Sequence, residues 1–211
     1  MVAKSIDIGT NALLPYEPAS RKLLIEWAPY HLHVLLWNNN TASIEAIESF
    51  SGSISDTEDW EQVLGQSRLL PLTNVEAWLV CAGPRMLPVP EHLFDGVQSQ
   101  AELNLLLGEA SWHRPMADLV PQKDMVLAWQ IPDLVPQKDM VLAWQIPDMV
   151  IDWLQQHFEV LTPRHVAGEL LKKPVMDEKT MGQIVLAEKQ ALLMLYHQEQ
   201  LLFLGMLPVI N

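Results

Sequence analysis

The sequence predicts an α/β fold built around a mixed β-sheet, and three observations support this class. Three strand-like stretches follow one another between residues 22 and 50. Helical and strand-like stretches alternate between residues 55 and 158, and three further strand-like stretches lie between residues 183 and 207. Consecutive strands followed by alternating helices and strands indicate a mixed sheet with helices packed on its faces.

The first three strands are predicted from short apolar stretches that end at turn residues. Residues 22–28 and 31–37 carry strand patterns, and the three Asn residues at 38–40 favour a turn because Asn tolerates left-handed backbone conformations. Residues 43–50 are interpreted as the third strand, although their period also fits a short helix. The three stretches together predict a meander.

Helices and strands then alternate. A capping box at residues 55–58 predicts the start of a helix, which is followed by a strand at residues 75–81 that continues toward residues 86–89. A second capping box predicts a helix over residues 99–107, and apolar residues at helical spacing predict another over residues 148–158. The element order predicted for the first half of the chain is therefore β-β-β-α-β-α-β-α.

The fifth strand of that order falls in an internal duplication. Residues 118–132 read DLVPQKDMVLAWQIP, and residues 133–147 repeat the same fifteen letters. Two copies alone do not make a solenoid, and a sheet built for one copy has one place for its apolar run. We therefore expect one copy to fill that place, and the other to be a loop, an edge strand or an exchanged strand.

The chain is predicted to contain a second, partial copy of this arrangement after residue 160. Residues 162–163 are interpreted as a helix start, although residues 160–161 and 165–166 also fit a short strand, and residues 168–173 are interpreted as a helix before Pro174. A three-strand meander follows, and the predicted division is an N-terminal arm at 1–20, a first subdomain at 21–160 and a partial second subdomain at 161–211. We expect the incomplete second half to expose apolar side chains, among them Leu192, Leu193, Leu201 and Phe203.

Composition narrows the partners that this chain could bind. The formal net charge is −13 over 211 residues, so a general nucleic-acid or anionic-membrane surface is disfavoured because phosphate binding needs clustered cations. Cys81 is the single cysteine and lies in an apolar run, which predicts a buried thiol. No signal peptide or membrane span is evident, and a cytoplasmic protein is expected.

The predicted element order resembles that of the ribonuclease H-like fold, from which actin-like ATPases are made by duplication. The paired meanders, the Pro88-to-Phe94 segment and the MVLAWQIP strand with the helix after it also resemble an uncharacterised, mainly Bacteroidetes family, domain of unknown function 3822. Members of that family resemble actin-like ATPases in fold and have no established activity. The duplication and the shorter chain are departures from this family.

The resemblance to actin-like ATPases implies an Asp-x-Gly turn at the end of the first strand of each subdomain, where the carboxylate handles Mg²⁺ and the Gly lets phosphate approach. Glu26 and Glu188 stand near these positions, but no Gly follows either of them, and solvated strand ends are the favoured interpretation. Asp7 begins an Asp-Ile-Gly-Thr motif that lacks the surrounding strand-turn-strand context. These three acids are the catalytic candidates.

His31 and His33 are metal-ligand candidates, because alternate residues of a strand point to one face. No further ligand is signalled near them, so half-exposed strand histidines are favoured. The sequence thus favours a non-catalytic actin-like protein without a cofactor, which acts through an unknown protein partner or as a homodimer. The alternative is a nucleotide-binding ATPase that uses Mg·ATP, and a nuclease is disfavoured by the negative charge.

Overall fold

The computed structural model describes residues 2–9, 20–52, 54, 56–72, 74–83, 85–90, 101, 104–105, 113–120, 140–171, 181–187, 190–197 and 200–208. Their strands and helices follow in chain order: β1 Ala3–Gly9, β2 Arg21–Ala28, β3 His31–Asn38, β4 Ser43–Ser51, α1 Thr57–Gln66, β5 Glu76–Cys81, β6 Met86–Pro90, β7 His113–Val120, β8 Met140–Pro147, α2 Asp148–His157, β9 Leu161–His165, α3 Val166–Leu171, β10 Met181–Ala187, β11 Gln190–His197 and β12 Gln200–Pro208.

The chain divides into two compact units. The first contains Met1–Gly83, Ser111–Arg114 and Ile146–His165, and the second contains Pro84–Ala110, Pro115–Gln145 and Val166–Asn211. Within the described residues, no helix has the length and apolar character that crossing a membrane requires.

The first unit is built on a six-stranded sheet with the order β1-β4-β3-β2-β5-β9. The first four strands of this order pair antiparallel, whereas β5 pairs parallel with β2 and β9 pairs parallel with β5. Leu23, Ile25 and Trp27 alternate on one face of β2 and are buried, and the residues between them are half-buried. The predicted α/β class with a mixed sheet is confirmed.

Helix α1 is the next element after β4, the third strand of the meander. Its N-cap is Asp56, whose side chain accepts a hydrogen bond from the Asp59 backbone N–H at 2.9 Å. The buried indole of Trp60 stacks on Trp153 of α2 with ring centroids 4.6 Å apart. These apolar contacts anchor both helices in the core of the first unit.

The prediction that the duplicated run supplies the fifth strand of this sheet is wrong. The strand that follows β5 in the order of this sheet is β9. The duplicated run instead forms β8 in the centre of a separate sheet with the order β6-β8-β7. Leu142, Ala143, Trp144 and Ile146 are all buried, so β8 is buried on both faces and suits a central position. Pro163 lacks a backbone N–H, and β9 accordingly lies at the edge of its sheet.

One smaller detail of the second unit also differs from expectation. The stretch at 86–89, predicted to continue β5, is the separate strand β6, and β7 begins at His113. The first copy of the duplication contributes its opening Asp118 to β7, where the side chain is buried against Gly168 of α3.

The duplication separates β7 from β8 by residues 121–139. With one copy removed, the same strands would be joined by the four residues Pro-Gln-Lys-Asp, which is a usual hairpin length. We expect this deletion to preserve the fold and to raise the free energy of unfolding by about 1 kcal/mol, because a shorter connection costs less closure entropy. Urea unfolding of both proteins checks this, and a less stable deletion variant would contradict it.

The sheet β10-β11-β12 has one buried and one exposed face. Leu192 and Met194 of β11 are buried, so the expected exposure of Leu192 is wrong; Leu193 is half-buried, and the side chains of Leu201 and Phe203 lie outside the described residues. On the opposite face four large apolar side chains are exposed, namely Ile184, Leu186, Leu195 and Leu207.

Candidate functional site at the β2–β3 hairpin

Strands β2 and β3 form an antiparallel hairpin with Pro29 and Tyr30 as the turn. The register places Glu26 opposite His33 and Ala28 opposite His31. Paired residues of antiparallel strands point to the same face, so this hairpin brings one carboxylate and two imidazoles together. Sequence reasoning considered Glu26 and the two histidines separately, although counting back from a two-residue turn pairs them.

The three side chains lie close to one another. One ligand atom from each of Glu26, His31 and His33 lies within 4.8 Å of the others. The Nε2 atom of His31 is 3.7 Å from the Oε1 atom of Glu26, and the two imidazole centroids are 4.7 Å apart. His31 is buried, whereas 37% of the Glu26 side chain is exposed. The group is therefore half-buried and can be reached by solutes through Glu26.

Neighbouring groups fix the protonation and orientation of this cluster. Hydrogen bonding from His31 lowers the pKa of Glu26, burial opposes this shift, and the charges of His33 and His31 add to it. The Nδ1 atom of His33 lies 2.7 Å from the Oγ atom of Ser49, a buried residue of β4. The lowered pKa favours the ionised form of Glu26, and the ring of His33 is held by the neighbouring strand.

The carboxyl ends of the parallel strands β2, β5 and β9 are filled by side chains. Open α/β sheets bind ligands at this edge. The register aligns Trp27 with Cys81 and Cys81 with His165, and all three residues are buried. The ring of Trp27 lies beside Gly83. The predicted burial of the Cys81 thiol is confirmed.

His165 is a fully buried group that sequence reasoning did not single out. Its Nε2 atom lies 2.9 Å from the carbonyl oxygen of Gly83, and since a carbonyl can only accept, Nε2 donates. Burial lowers the pKa of His165 to about 4, although the bond to Gly83 opposes this shift. A neutral imidazole therefore ties the end of β9 to the segment after β5.

The turn itself offers little to a phosphate group. Pro29 has no backbone N–H, and the N–H groups of Gly52 and Ala82 are directed to the carbonyl oxygens of Tyr30 and Trp27. No glycine lies in the turn to let an anion approach the backbone closely.

Asp7 is held in a network of ions at the opposite edge of the sheet. It lies on β1, which β4 and β3 separate from β2, and pairs with Lys4 at 2.9 Å and with Arg68. A hydrogen bond from Lys4 lowers the pKa of Asp7. The Asp-Ile-Gly motif is thus part of an edge strand and is not brought together with Glu26. The third acid, Glu188, lies outside the described residues.

The same network contains Glu48, a fully buried carboxylate of β4. It accepts hydrogen bonds from the Lys4 ammonium at 2.7 Å, the Ser67 hydroxyl at 2.6 Å and the Arg68 backbone N–H at 3.0 Å. Burial opposes ionisation, but these donors outweigh it and hold the pKa of Glu48 below its ordinary value.

Comparison with known proteins extends the description of the fold. The chain matches no family model and no curated protein, so its resemblance to domain of unknown function 3822 stays a prediction. It is similar to the crystal structure of a Bacteroides thetaiotaomicron protein with an actin-like ATPase fold and unknown function, with a TM-score of 0.70 and 12% sequence identity over 92% of this chain and 72% of that chain. The fold of this chain therefore resembles the actin-like ATPase fold of a protein whose function is itself unknown.

Proposed function

We propose that this chain is a non-catalytic protein of actin-like fold that acts through contacts with another protein chain. The observation that carries the proposal is the exposed apolar face of the sheet β10-β11-β12. The filled carboxyl edge at Trp27, Cys81 and His165 supports the non-catalytic part, because it leaves little room for a nucleotide there.

The exposed face consists of residues that the strand register aligns. Leu186 pairs with Ala191, Ala191 pairs with Leu207, and Ile184 pairs with Leu193. The exposed fractions are 64% for Ile184, 75% for Leu186, 36% for Leu195 and 47% for Leu207. Neighbouring apolar side chains with this exposure are unfavourable in water and are typical of an interaction surface.

We further propose that the first unit has the ribonuclease H-like arrangement and that β10-β12 belongs to a partial second copy. The run β4-β3-β2-β5-β9, with β5 and β9 parallel to β2, supports the first part. Under this proposal the second meander presents the apolar face to a partner, and the first partner to test is a second copy of the chain. A self-complementary contact between two identical apolar faces is the usual form of a homodimer.

We expect the purified protein to sediment as a dimer and Leu186→Lys to sediment as a monomer, because a buried ammonium would cost several kcal/mol at such a contact. Ile8→Lys is the matched control, since Ile8 is 62% exposed on strand β1 of the first unit. Sedimentation velocity over a range of concentrations measures both variants. A Leu186→Lys protein that remains dimeric would contradict the role of this face.

If the protein is non-catalytic, as proposed, we expect Mg·ATP and Mg·ADP to leave the thermal midpoint of unfolding unchanged. A nucleotide at a thousandfold excess over its Kd would add about 4 kcal/mol to stability, which a thermal-shift titration detects readily. Mg²⁺ alone is the control. A Mg-dependent shift that Glu26→Ala abolishes would instead support the alternative, a nucleotide-binding ATPase.

A further inference from the structure

We propose that Glu26, His31 and His33 bind one Zn²⁺ ion at the β2–β3 hairpin. Two imidazoles and one carboxylate are a common zinc ligand set, and three protein ligands leave a fourth position for water or another small ligand. This inference does not depend on the proposed protein–protein contact, which concerns the other unit of the chain.

The distances fit a metal centre after small side-chain rotations. Ligand atoms bound at about 2.1 Å in a tetrahedron lie about 3.4 Å apart. The observed separation between Nε2 of His31 and Oε1 of Glu26 is 3.7 Å, and no pair within the three-residue set exceeds 4.8 Å. Closing these gaps requires rotation about side-chain bonds and no movement of the strands.

The backbone that carries the ligands is held by strand pairing. Glu26 and His33 face each other across β2 and β3, and β3 is paired on its other side with β4, where His33 faces Ser49. The 2.7 Å contact between Nδ1 of His33 and Oγ of Ser49 would orient the ring with the opposite nitrogen, Nε2, as the metal ligand. Histidines that bind metals usually have such a partner on the other nitrogen.

The donor chemistry selects the kind of ion. Imidazole favours zinc and its neighbours among the transition metals, whereas Mg²⁺ and Ca²⁺ favour sets made of oxygen atoms. The exposed part of Glu26 gives the ion a path from solvent, and the buried ring of His31 forms the inner wall of the site.

The test is isothermal titration of ZnCl₂ into untagged, chelator-treated protein. We expect one saturable site, and Glu26→Gln and His33→Gln should each weaken Zn²⁺ binding at least a hundredfold, since each removes one of three ligands. Ser49→Ala should weaken it about tenfold, because the orienting partner is lost while all ligands remain. His157→Gln is the matched control, since it removes an imidazole from α2 and should leave the affinity unchanged.

Two further measurements keep the result interpretable. Circular dichroism and the thermal midpoint of each variant without metal exclude misfolding as the cause of weakened binding. Replacement of Zn²⁺ by Co²⁺ should give visible absorption typical of nitrogen and oxygen coordination. Absence of saturable Zn²⁺ binding by the wild-type protein, or full binding by both Glu26→Gln and His33→Gln, would overturn the proposal.

Discussion

Replacement of Glu48 by Ala should lower the free energy of unfolding by about 3 kcal/mol. The substitution removes the acceptor of three donors at once, and it leaves the Ser67 hydroxyl, the Arg68 N–H and the largely buried Lys4 ammonium without that partner. A buried donor that loses its partner costs more than the hydrogen bond contributed. Urea unfolding at neutral pH measures the difference.

Glu45→Ala is the matched control on the same strand. Glu45 pairs with Arg21 at 2.6 Å, but its side chain is partly exposed, so the change should cost less than about 1 kcal/mol. Equal losses of unfolding free energy in the two variants would show that the burial of Glu48 does not increase its contribution to stability. Because the folded-state pKa of Glu48 is lowered, its contribution is present above the unfolded pKa and is lost as the pH falls through the folded value.

The second large effect is a loss of stability between pH 6.5 and pH 4 that depends on His165. The folded-state pKa of about 4 lies below the ordinary value, so only the unfolded chain takes up this proton in that interval. Stability is therefore fully present above pH 6.5 and declines toward pH 4, by on the order of 3 kcal/mol. Urea unfolding at several pH values across the interval measures this decline.

His165→Gln should be less stable at neutral pH, and most of the decline across that interval should disappear, because no imidazole is left to titrate at that position. His157→Gln is the control, since it removes another imidazole while the dependence on His165 persists. An unchanged slope in His165→Gln would contradict the assignment. The Glu48 effect is separable, because its lowered pKa places its loss at more acidic pH.

Local patterns were sufficient to predict the elements whose sequence and burial agree. The apolar stretch at residues 22–28 predicts strand β2, and the capping box at residues 55–58 predicts the start of α1. The place of a strand in a sheet depends instead on partners distant in the chain. For that reason β6 and β8, whose strand patterns were recognised, could not be assigned to their own sheet. The edge strand β9 was one of two interpretations, because Pro163 also fits the first turn of a helix.

The candidate site was predicted residue by residue but not as a group. Glu26, His31 and His33 were each predicted from the sequence as candidate site residues. Their proximity follows from the strand register across the turn at Pro29 and Tyr30. Ser49 carries no signal of its own, because its role comes from pairing between β3 and β4. His165 resembled an isolated histidine, since nothing in a short Pro-containing stretch indicates complete burial beside Gly83.

The duplication gives this chain two ways to thread the same fold. Residues 125–132 carry the same eight side chains as β8, so either copy would make identical contacts in the middle of its sheet. The two arrangements differ only in their connections. When the second copy forms the central strand, it runs directly into α2. If the first copy formed that strand, it would follow β7 closely, and the second copy would become the connection to α2. The free-energy cost of closing the connecting segments differs by about 1 kcal/mol between the two arrangements, which is a small gap. Sequence drift between the copies would widen this gap, so their identity makes the strand assignment depend on chain entropy rather than on packing.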